Sequence, residues 1–174
     1  MKYQVILIVL YKSSSCQAEG NTAIDFVLHS VAQSLLADNC PDGWNYNSTF
    51  GKCYKLFAAE EKWPMSEIVC AFRGAHHVSI HNKLENNYIK KMVTSQSSSD
   101  NLWLGAAQFG TSKEYEWSDH TPFNFENWET KTRPPYTKAK RCTKMNLTTG
   151  KWYQSCCKIP SPYICQRPAG VVTG

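Results

Sequence analysis

Cysteine is the feature that most constrains how this chain can fold, since eight of its 174 residues are cysteine. Cysteines at this density form disulfides in an oxidising compartment or bind metal in a reducing one. None of them has the C-x2-C spacing that is typical of a zinc site. The sequence therefore predicts a disulfide framework, with no metal ion or other cofactor.

The N-terminus indicates the oxidising compartment. Lys2 precedes the apolar run VILIVLY at 5–11, and the tripeptide CQA, which ends at Ala18, offers the small residues of a cleavage site. Residues 1–18 are therefore interpreted as a signal peptide of a secreted, extracellular protein; the alternative is a buried strand that begins the fold. The run is too short to cross a bilayer, and no other stretch approaches a membrane span. Cleavage would also remove Cys16 and leave an odd number of cysteines, so that one is free or paired with another chain.

The charge of the chain is mildly basic. The formal net charge is +5, and loss of Lys2 and Lys12 with the signal peptide leaves 17 cations against 14 anions. A balance this mild does not imply a nucleic-acid partner. Two sequons, NST at Asn47 and NLT at Asn146, are predicted glycosylation sites because the protein is interpreted as secreted.

An N-terminal helical segment, residues 19–39, precedes the main domain. Its apolar residues recur at helical spacing between Ile24 and Leu36, which predicts a short amphipathic helix. This helix could pack on the domain or pair with a second chain, and a loosely ordered leader is the alternative. The domain itself is predicted at 40–167, followed by a tail at 168–174.

Two helices are predicted within the domain. The first covers 65–75, with Ser66 as its cap and Gly74 as its stop, and buries Cys70 beside Ile68 or Val69. The second covers 81–93. It carries one apolar stripe made of Leu84, Tyr88, Ile89 and Met92.

Strands dominate the second half of the domain. Alternating apolar residues predict strands at 52–58, 102–108 and 115–119, and three cysteine-bearing strands end the domain. Residues 119–141 contain few apolar residues and several turn-formers, so we predict a long irregular loop, a kind of segment that is often functional. Early helices and late strands favour an α+β fold with an antiparallel sheet.

Five short motifs occur along the chain in this order: CPDGWNYNSTFGKCYKLF, CAFRGAHHVSIHN, LWLG, YEWSDHTPFNFENW, and GKW with its two following cysteines. Together they resemble the C-type lectin-like domain family across 40–167. The resemblance implies the C-type lectin-like fold, with two helices, antiparallel sheets and a long irregular loop, and a binding module that is not an enzyme. It also implies three disulfides, Cys40–Cys53, Cys70–Cys165 and Cys142–Cys157. Cys156 is then unpaired or linked to another chain.

The long loop departs from the family pattern at the residues that bind calcium. Calcium-dependent members carry EPN or QPD there, an acid just before the next cysteine, and WND on the next strand, because Ca²⁺ takes 6–8 oxygen ligands. This chain has RPP at 133–135, Lys140 before the cysteine, and WYQ at 152–154. Cations at these positions repel a divalent ion, so the resemblance implies that the principal calcium site is absent. The alternative is a different metal site formed by Asp119, Glu126 and Glu129.

The same loop is the candidate ligand site. Its cations and its tyrosine are Arg133, Tyr136, Lys138, Lys140 and Arg141. One hypothesis is a site for anionic groups, such as sulfated glycans or acidic protein surfaces; the alternative is a solvated loop without a dedicated ligand. Two functions remain open: glycan binding without calcium, or binding of an extracellular protein, with a homodimer through Cys156 or the N-terminal helix.

Histidine and tryptophan are interpreted as structural. His76, His77 and His81 lie close together in sequence, but no cysteine or serine nucleophile with an orienting acid accompanies them, so catalysis is not predicted. Four tryptophans occupy the family motifs and are predicted to pack in the core, with stacking on a sugar as the alternative: Trp103, Trp117, Trp128 and Trp152.

Overall fold

A computed structural model of the chain describes residues 40–170. Within this range there are two helices, α1 (Trp63–Ala71) and α2 (Lys83–Thr94). The strands, in chain order, are β1 (Asn45–Asn47), β2 (Lys52–Glu61), β3 (His76–His77), β4 (Asn101–Ala107), β5 (Glu116–Trp117), β6 (Cys142–Asn146), β7 (Trp152–Ser155) and β8 (Ser161–Pro168). The predicted signal peptide with Cys16, the N-terminal helical segment and the last four residues of the predicted tail lie outside the described residues.

The strands described here form one sheet in the order β1-β2-β8-β4-β6-β7, with β3 beside β8 and β5 beside β4. All pairs are antiparallel except β4 and β8, which run parallel where Trp103 faces Tyr163. The predicted α+β class is confirmed, and the sheet, which was predicted to be antiparallel, is antiparallel apart from this one pair. Neither helix of residues 40–170 is long and apolar enough to cross a membrane.

Helix α1 begins earlier than predicted. Pro64 occupies its first turn, where the missing N–H leaves no hydrogen bond unmade. Ser66 lies inside the helix and donates its hydroxyl to the carbonyl of Trp63 at 3.0 Å, so its predicted role as a cap is wrong. Cys70 is buried as predicted; of its two predicted neighbours, Val69 packs against the same core cluster and Ile68 is 47% exposed.

Helix α2 buries a charged side chain. Asn82 caps the helix by accepting a hydrogen bond from the amide of Glu85 at 2.9 Å. The Glu85 carboxylate is buried and accepts from Lys52 Nζ at 2.8 Å and from the Tyr54 hydroxyl at 2.9 Å. Leu84 is 69% exposed, so its place in the predicted stripe is wrong. The other predicted members of the stripe are buried or half-buried: Tyr88, Ile89 and Met92.

Tryptophan rings lie at the centre of the core. The four tryptophans of the family motifs are all buried: Trp103, Trp117, Trp128 and Trp152. The ring of Trp152 meets those of Trp117 and Trp128 edge-on, with centroids 5.6 and 5.8 Å apart. The predicted packing role is confirmed, and rings buried in this way cannot stack on an external sugar.

The cysteines are paired as the resemblance implies, in the three disulfides Cys40–Cys53, Cys70–Cys165 and Cys142–Cys157. The second joins helix α1 to the last strand. The third ties the start of β6, where the long loop ends, to the segment after β7. Within residues 40–170, Cys156 is the cysteine without a disulfide, and it is partly exposed.

Candidate functional site

The long loop, residues 118–141, is held against strand β7 by backbone hydrogen bonds. The amide of Trp152 donates to the carbonyl of Asn127 at 2.9 Å, and the amide of Glu129 donates to the carbonyl of Trp152 at 2.9 Å. Loops ordered in this way present side chains at fixed positions, which is a requirement of a binding site. The predicted irregular segment is therefore an ordered platform.

Arg133 serves an internal role in this platform. Its guanidinium bridges two carboxylates: it donates to Glu114 at 2.7 Å and forms two hydrogen bonds with Glu126, and it also lies over the ring of Phe123. The hydrogen bond from Arg133, together with one from Trp128, outweighs partial burial and holds the pKa of Glu126 below its usual range. Two carboxylates thus compensate the charge of Arg133 within the loop, and its predicted role in ligand binding stays a prediction.

Gln154 also anchors the loop. Its amide nitrogen donates to the carbonyl of Pro135 at 2.8 Å and to the hydroxyl of Tyr115 at 2.5 Å. Its neighbour Tyr153 donates to Asn101 at 2.5 Å. Gln154 therefore fixes the loop at Pro135, whereas Tyr153 is held by strand β4.

The remaining predicted residues form what we call the basic face: Tyr136, Lys138, Lys140 and Arg141. The Arg141 guanidinium lies 5.6 Å from the centre of the Tyr136 ring and donates to the carbonyl of Gly110. Lys138 and Lys140 are exposed, and neither forms an ion pair with any residue between 40 and 170. Both lysines lie in a turn that Thr137 closes. The Thr137 hydroxyl accepts a hydrogen bond from the amide of Lys140 at 3.1 Å.

The acidic residues considered as a second metal site do not converge. Glu126 is bound by Arg133, and Asp119 accepts hydrogen bonds from Ser79 and Thr121. No group of three or more His, Cys, Asp or Glu side chains in residues 40–170 could hold a metal ion. Glu114 could not be identified from the sequence as part of this site, because nothing in its local pattern links it to an arginine 19 positions away.

Both sequon asparagines lie at turns. The side-chain oxygen of Asn47 accepts from the amide of Thr49 at 3.0 Å, and that of Asn146 accepts from the amide of Thr148 at 2.9 Å. Both side chains are partly exposed. Glycosylation of these residues stays a prediction.

Residues 40–170 thus form a small, disulfide-bonded α+β domain that presents a long ordered loop. The family model described as "Lectin C-type domain" matches residues 59–167. The chain belongs to this family.

Relatives of quite different length share this domain. Lymphocyte antigen 75 of Homo sapiens is 31% identical over 134 residues, which are 75% of this chain but 8% of that protein. This chain thus spans only a small part of that relative. Snaclec clone 2100755 of Deinagkistrodon acutus is 30% identical, and the match covers 82% of this chain and 90% of the snaclec. The galactose-specific lectin nattectin of Thalassophryne nattereri is 25% identical, with 74% and 80% covered.

Solved structures agree with the family. A calcium-independent type II antifreeze protein superposes with a TM-score of 0.66 and is 26% identical, covering 75% of this chain and 95% of its own. The carbohydrate-recognition domain of cow CD23 superposes with a TM-score of 0.63 and is 25% identical, covering 75% and 96%. The fold is therefore that of C-type lectin domains.

Proposed function

We propose that the chain is an extracellular glycan-binding module that recognises anionic glycans through the basic face, without the calcium chelation usual in its family, and that it is not an enzyme. The observation that carries the proposal is the pair of exposed lysines, Lys138 and Lys140, next to the Arg141–Tyr136 stack. Ammonium and guanidinium groups bind sulfate and carboxylate through charge-assisted hydrogen bonds. The tyrosine ring adds a surface for the apolar side of a sugar.

The proposal of calcium independence has its own support. Arg133 lies between Glu126 and Glu114, so a guanidinium already provides the positive charge in this part of the loop. Lys140 and Gln154 replace oxygen ligands of the family pattern by donors. A divalent cation entering here would meet positive charge and no free carboxylate cluster. One structure similar to this chain is described as that of a calcium-independent protein.

Secretion belongs to the same proposal. The predicted signal peptide at 1–18 and three disulfides in the domain both suit an oxidising compartment. Glycosylation at Asn47 and Asn146 follows from it. Treatment of the secreted chain with a peptide-N-glycosidase and measurement of its mass tests both sites.

Binding to a glycan array in EDTA tests the main proposal. We expect sulfated glycans to bind, and the double variant Lys138→Gln/Lys140→Gln to lose binding at least several-fold, because exposed cations supply most of the attraction. A matched double variant, Lys83→Gln/Lys91→Gln, removes the same charge from helix α2 and should bind as the unaltered chain does. Absence of binding to any sulfated glycan, or equal loss in both double variants, would overturn the proposal.

A thermal melt in millimolar Ca²⁺ and again in EGTA tests calcium independence. A ligand that binds the folded state at 100 times its Kd adds about 2.7 kcal/mol to stability, which raises the midpoint by several degrees. We expect no shift. A clear increase with Ca²⁺ would restore calcium-dependent sugar binding as the leading function.

Binding of a protein is the second candidate function, and a surface of helix α1 favours it. Met65, Ile68 and Phe72 follow one another at helical spacing and are 50%, 47% and 87% exposed. A second copy of the chain, linked through Cys156 or through segment 19–39, is the partner we test. Sedimentation and non-reducing gels of the unaltered chain and of Cys156→Ser decide the question, because a covalent dimer disappears in the variant, whereas a monomer with a free thiol excludes the link.

A further inference from the structure

A small slot of about 180 Å³ adjoins the basic face at Arg141. Three parts of the chain meet there: the start of helix α1, the end of strand β4 with the turn that follows it, and the Cys142–Cys157 disulfide at the end of the long loop. The rings of Trp63 and Phe109 line the slot and meet edge-on, with centroids 5.7 Å apart. Since sites for whole small molecules measure about 300–1,000 Å³, a slot of this size suits one substituent of a larger ligand.

The lining of the slot is apolar apart from the side chains of Gln108 and Arg141. Gln108 donates to the carbonyl of Lys113 at 2.8 Å, and its Oε1 atom is inaccessible to solvent, so this side chain offers no group to a ligand. Phe109 is 36% exposed, and its ring therefore keeps apolar surface in contact with water. An apolar group that enters the slot removes this surface from water, which is favourable.

Arg141 provides the one open polar group of this lining, and it is a cation. It forms no ion pair with any carboxylate in the part of the chain that the structure describes. Its Nη2 atom donates to the carbonyl of Gly110, and its Nε atom is buried. Its Nη1 atom forms no hydrogen bond within residues 40–170 and is not among the buried atoms, so its N–H groups are open to an anionic oxygen.

These two features together restrict the chemistry of the ligand. The free N–H groups of Arg141 favour an anionic group such as sulfate, through charge-assisted hydrogen bonds. A hydroxyl placed deep in the slot would lose its hydration without a compensating partner, which is costly. The methyl of an acetamido group has no such cost, and the carbonyl of the same group stays at the mouth of the slot, beside the guanidinium.

We propose that the slot binds the acetamido methyl group of a sulfated N-acetylhexosamine, whose sulfate pairs with Arg141. This inference rests on the proposed function, because it starts from sulfate binding at the basic face. It adds the class of sugar that carries the sulfate, and the slot adds a contact that charge alone does not provide.

Titration of the full isotope-labelled chain with N-acetylglucosamine 6-sulfate or with glucose 6-sulfate tests the proposal by NMR. The two sugars carry the same charge and differ in the acetamido group, so glucose 6-sulfate is the matched control. We expect the acetylated sugar to have a Kd about four times lower, as burial of one methyl group implies. We also expect it to shift the amide signals of Phe109 and Gly110, which glucose 6-sulfate should shift less.

The outcomes separate this inference from the proposed function. Equal Kd values for the two sugars, or shifts that leave 107–110 unchanged, would overturn the inference, whereas binding of glucose 6-sulfate would still support an anionic glycan as the ligand. If neither sugar binds, the inference is wrong, and the glycan array in EDTA decides independently on the proposed function.

A pair of variants locates the contact with the acetamido group. Phe109→Ala removes one wall of the slot and should make the two Kd values equal, with the Kd for glucose 6-sulfate unchanged. Phe72→Ala makes the same change at a ring that is 87% exposed, at the end of helix α1, and should keep the fourfold preference. The same preference in both variants would contradict the proposed slot. If a melt shows that Phe109→Ala does not fold, the shift map of the unaltered chain decides alone.

Discussion

At the scale of single residues, His77 shows how burial keeps a histidine side chain uncharged. Its ring is fully buried and packs between the rings of Trp63 and Tyr163, with centroids 5.1 and 5.6 Å away. Burial, and secondarily the charge of His76, lower the pKa of His77 to about 3. The nearest carboxylate oxygen, on Glu67, is 3.5 Å from Nδ1, and this contact does not offset the loss of hydration. His77 is therefore neutral in the folded protein.

This neutral histidine predicts acid sensitivity. The unfolded chain binds a proton at His77 near pH 6.5, whereas the folded chain does so only near pH 3. Stability should therefore fall as the pH drops below about 6.5, by up to about 1.4 kcal/mol per pH unit from this residue. Urea denaturation at pH 7.5, 6 and 5 measures the slope, which His77→Phe should reduce. His120→Asn, at an exposed histidine, is the control, and equal slopes in all three proteins would contradict the prediction.

The residue scale also marks a limit of the sequence. Of the three neighbouring histidines that were interpreted as structural because no nucleophile accompanies them, the structure places His77 wholly inside. The partners of Arg133 could not be predicted, since Glu126 and Glu114 are 7 and 19 positions away and follow no periodicity. Several cations close together in the sequence indicate a basic loop. Only the fold shows which of these cations already pair with a carboxylate.

At the scale of elements, the long loop has a fixed shape although its backbone is irregular. A shortage of apolar residues predicted its irregular backbone, and the disulfide at Cys142, which the resemblance implied, fixes its end. The side-chain contacts that hold it, from Arg133 and Gln154, depend on tertiary packing and could not be predicted. The two helices show the same contrast, because helical spacing located both of them. The spacing did not predict that α1 begins earlier, with Pro64 in its first turn, or that α2 buries Glu85 and leaves Leu84 exposed.

Replacement of Arg133 should loosen the loop more than it destabilises the domain. In Arg133→Met, Glu114 and Glu126 lose their partner but are exposed enough to be hydrated, so we expect a loss of less than about 1 kcal/mol in global stability. Amide hydrogen exchange in 119–141 should become faster, because local opening no longer breaks these contacts. Lys138→Met, which removes a cation that has no ion pair within residues 40–170, is the control. Unchanged exchange in Arg133→Met would show that the bridge does not hold the loop.

At the scale of the whole molecule, the disulfides differ in how much of the chain they enclose. Cys70–Cys165 joins the first helix to the last strand across 95 positions, whereas Cys40–Cys53 closes a hairpin of 13 positions. The longer loop restricts the unfolded chain more, since the entropy lost on closure grows with the logarithm of loop length. The pairing itself could be inferred only through the resemblance to a family, because spacing alone leaves many connectivities.

Removal of the long-range disulfide should therefore cost more stability than removal of the short one. We expect Cys70→Ala/Cys165→Ala to lose about 4–5 kcal/mol and Cys40→Ala/Cys53→Ala about 3 kcal/mol, on the chain-entropy model. Urea denaturation without reductant measures both, and the m-value should rise most in the first variant, whose unfolded chain expands most. If that variant is unfolded in buffer, the two are compared in added sulfate, which favours the compact state. Equal losses and equal m-values would show that strain or residual structure, and not loop length, sets the contribution of each disulfide.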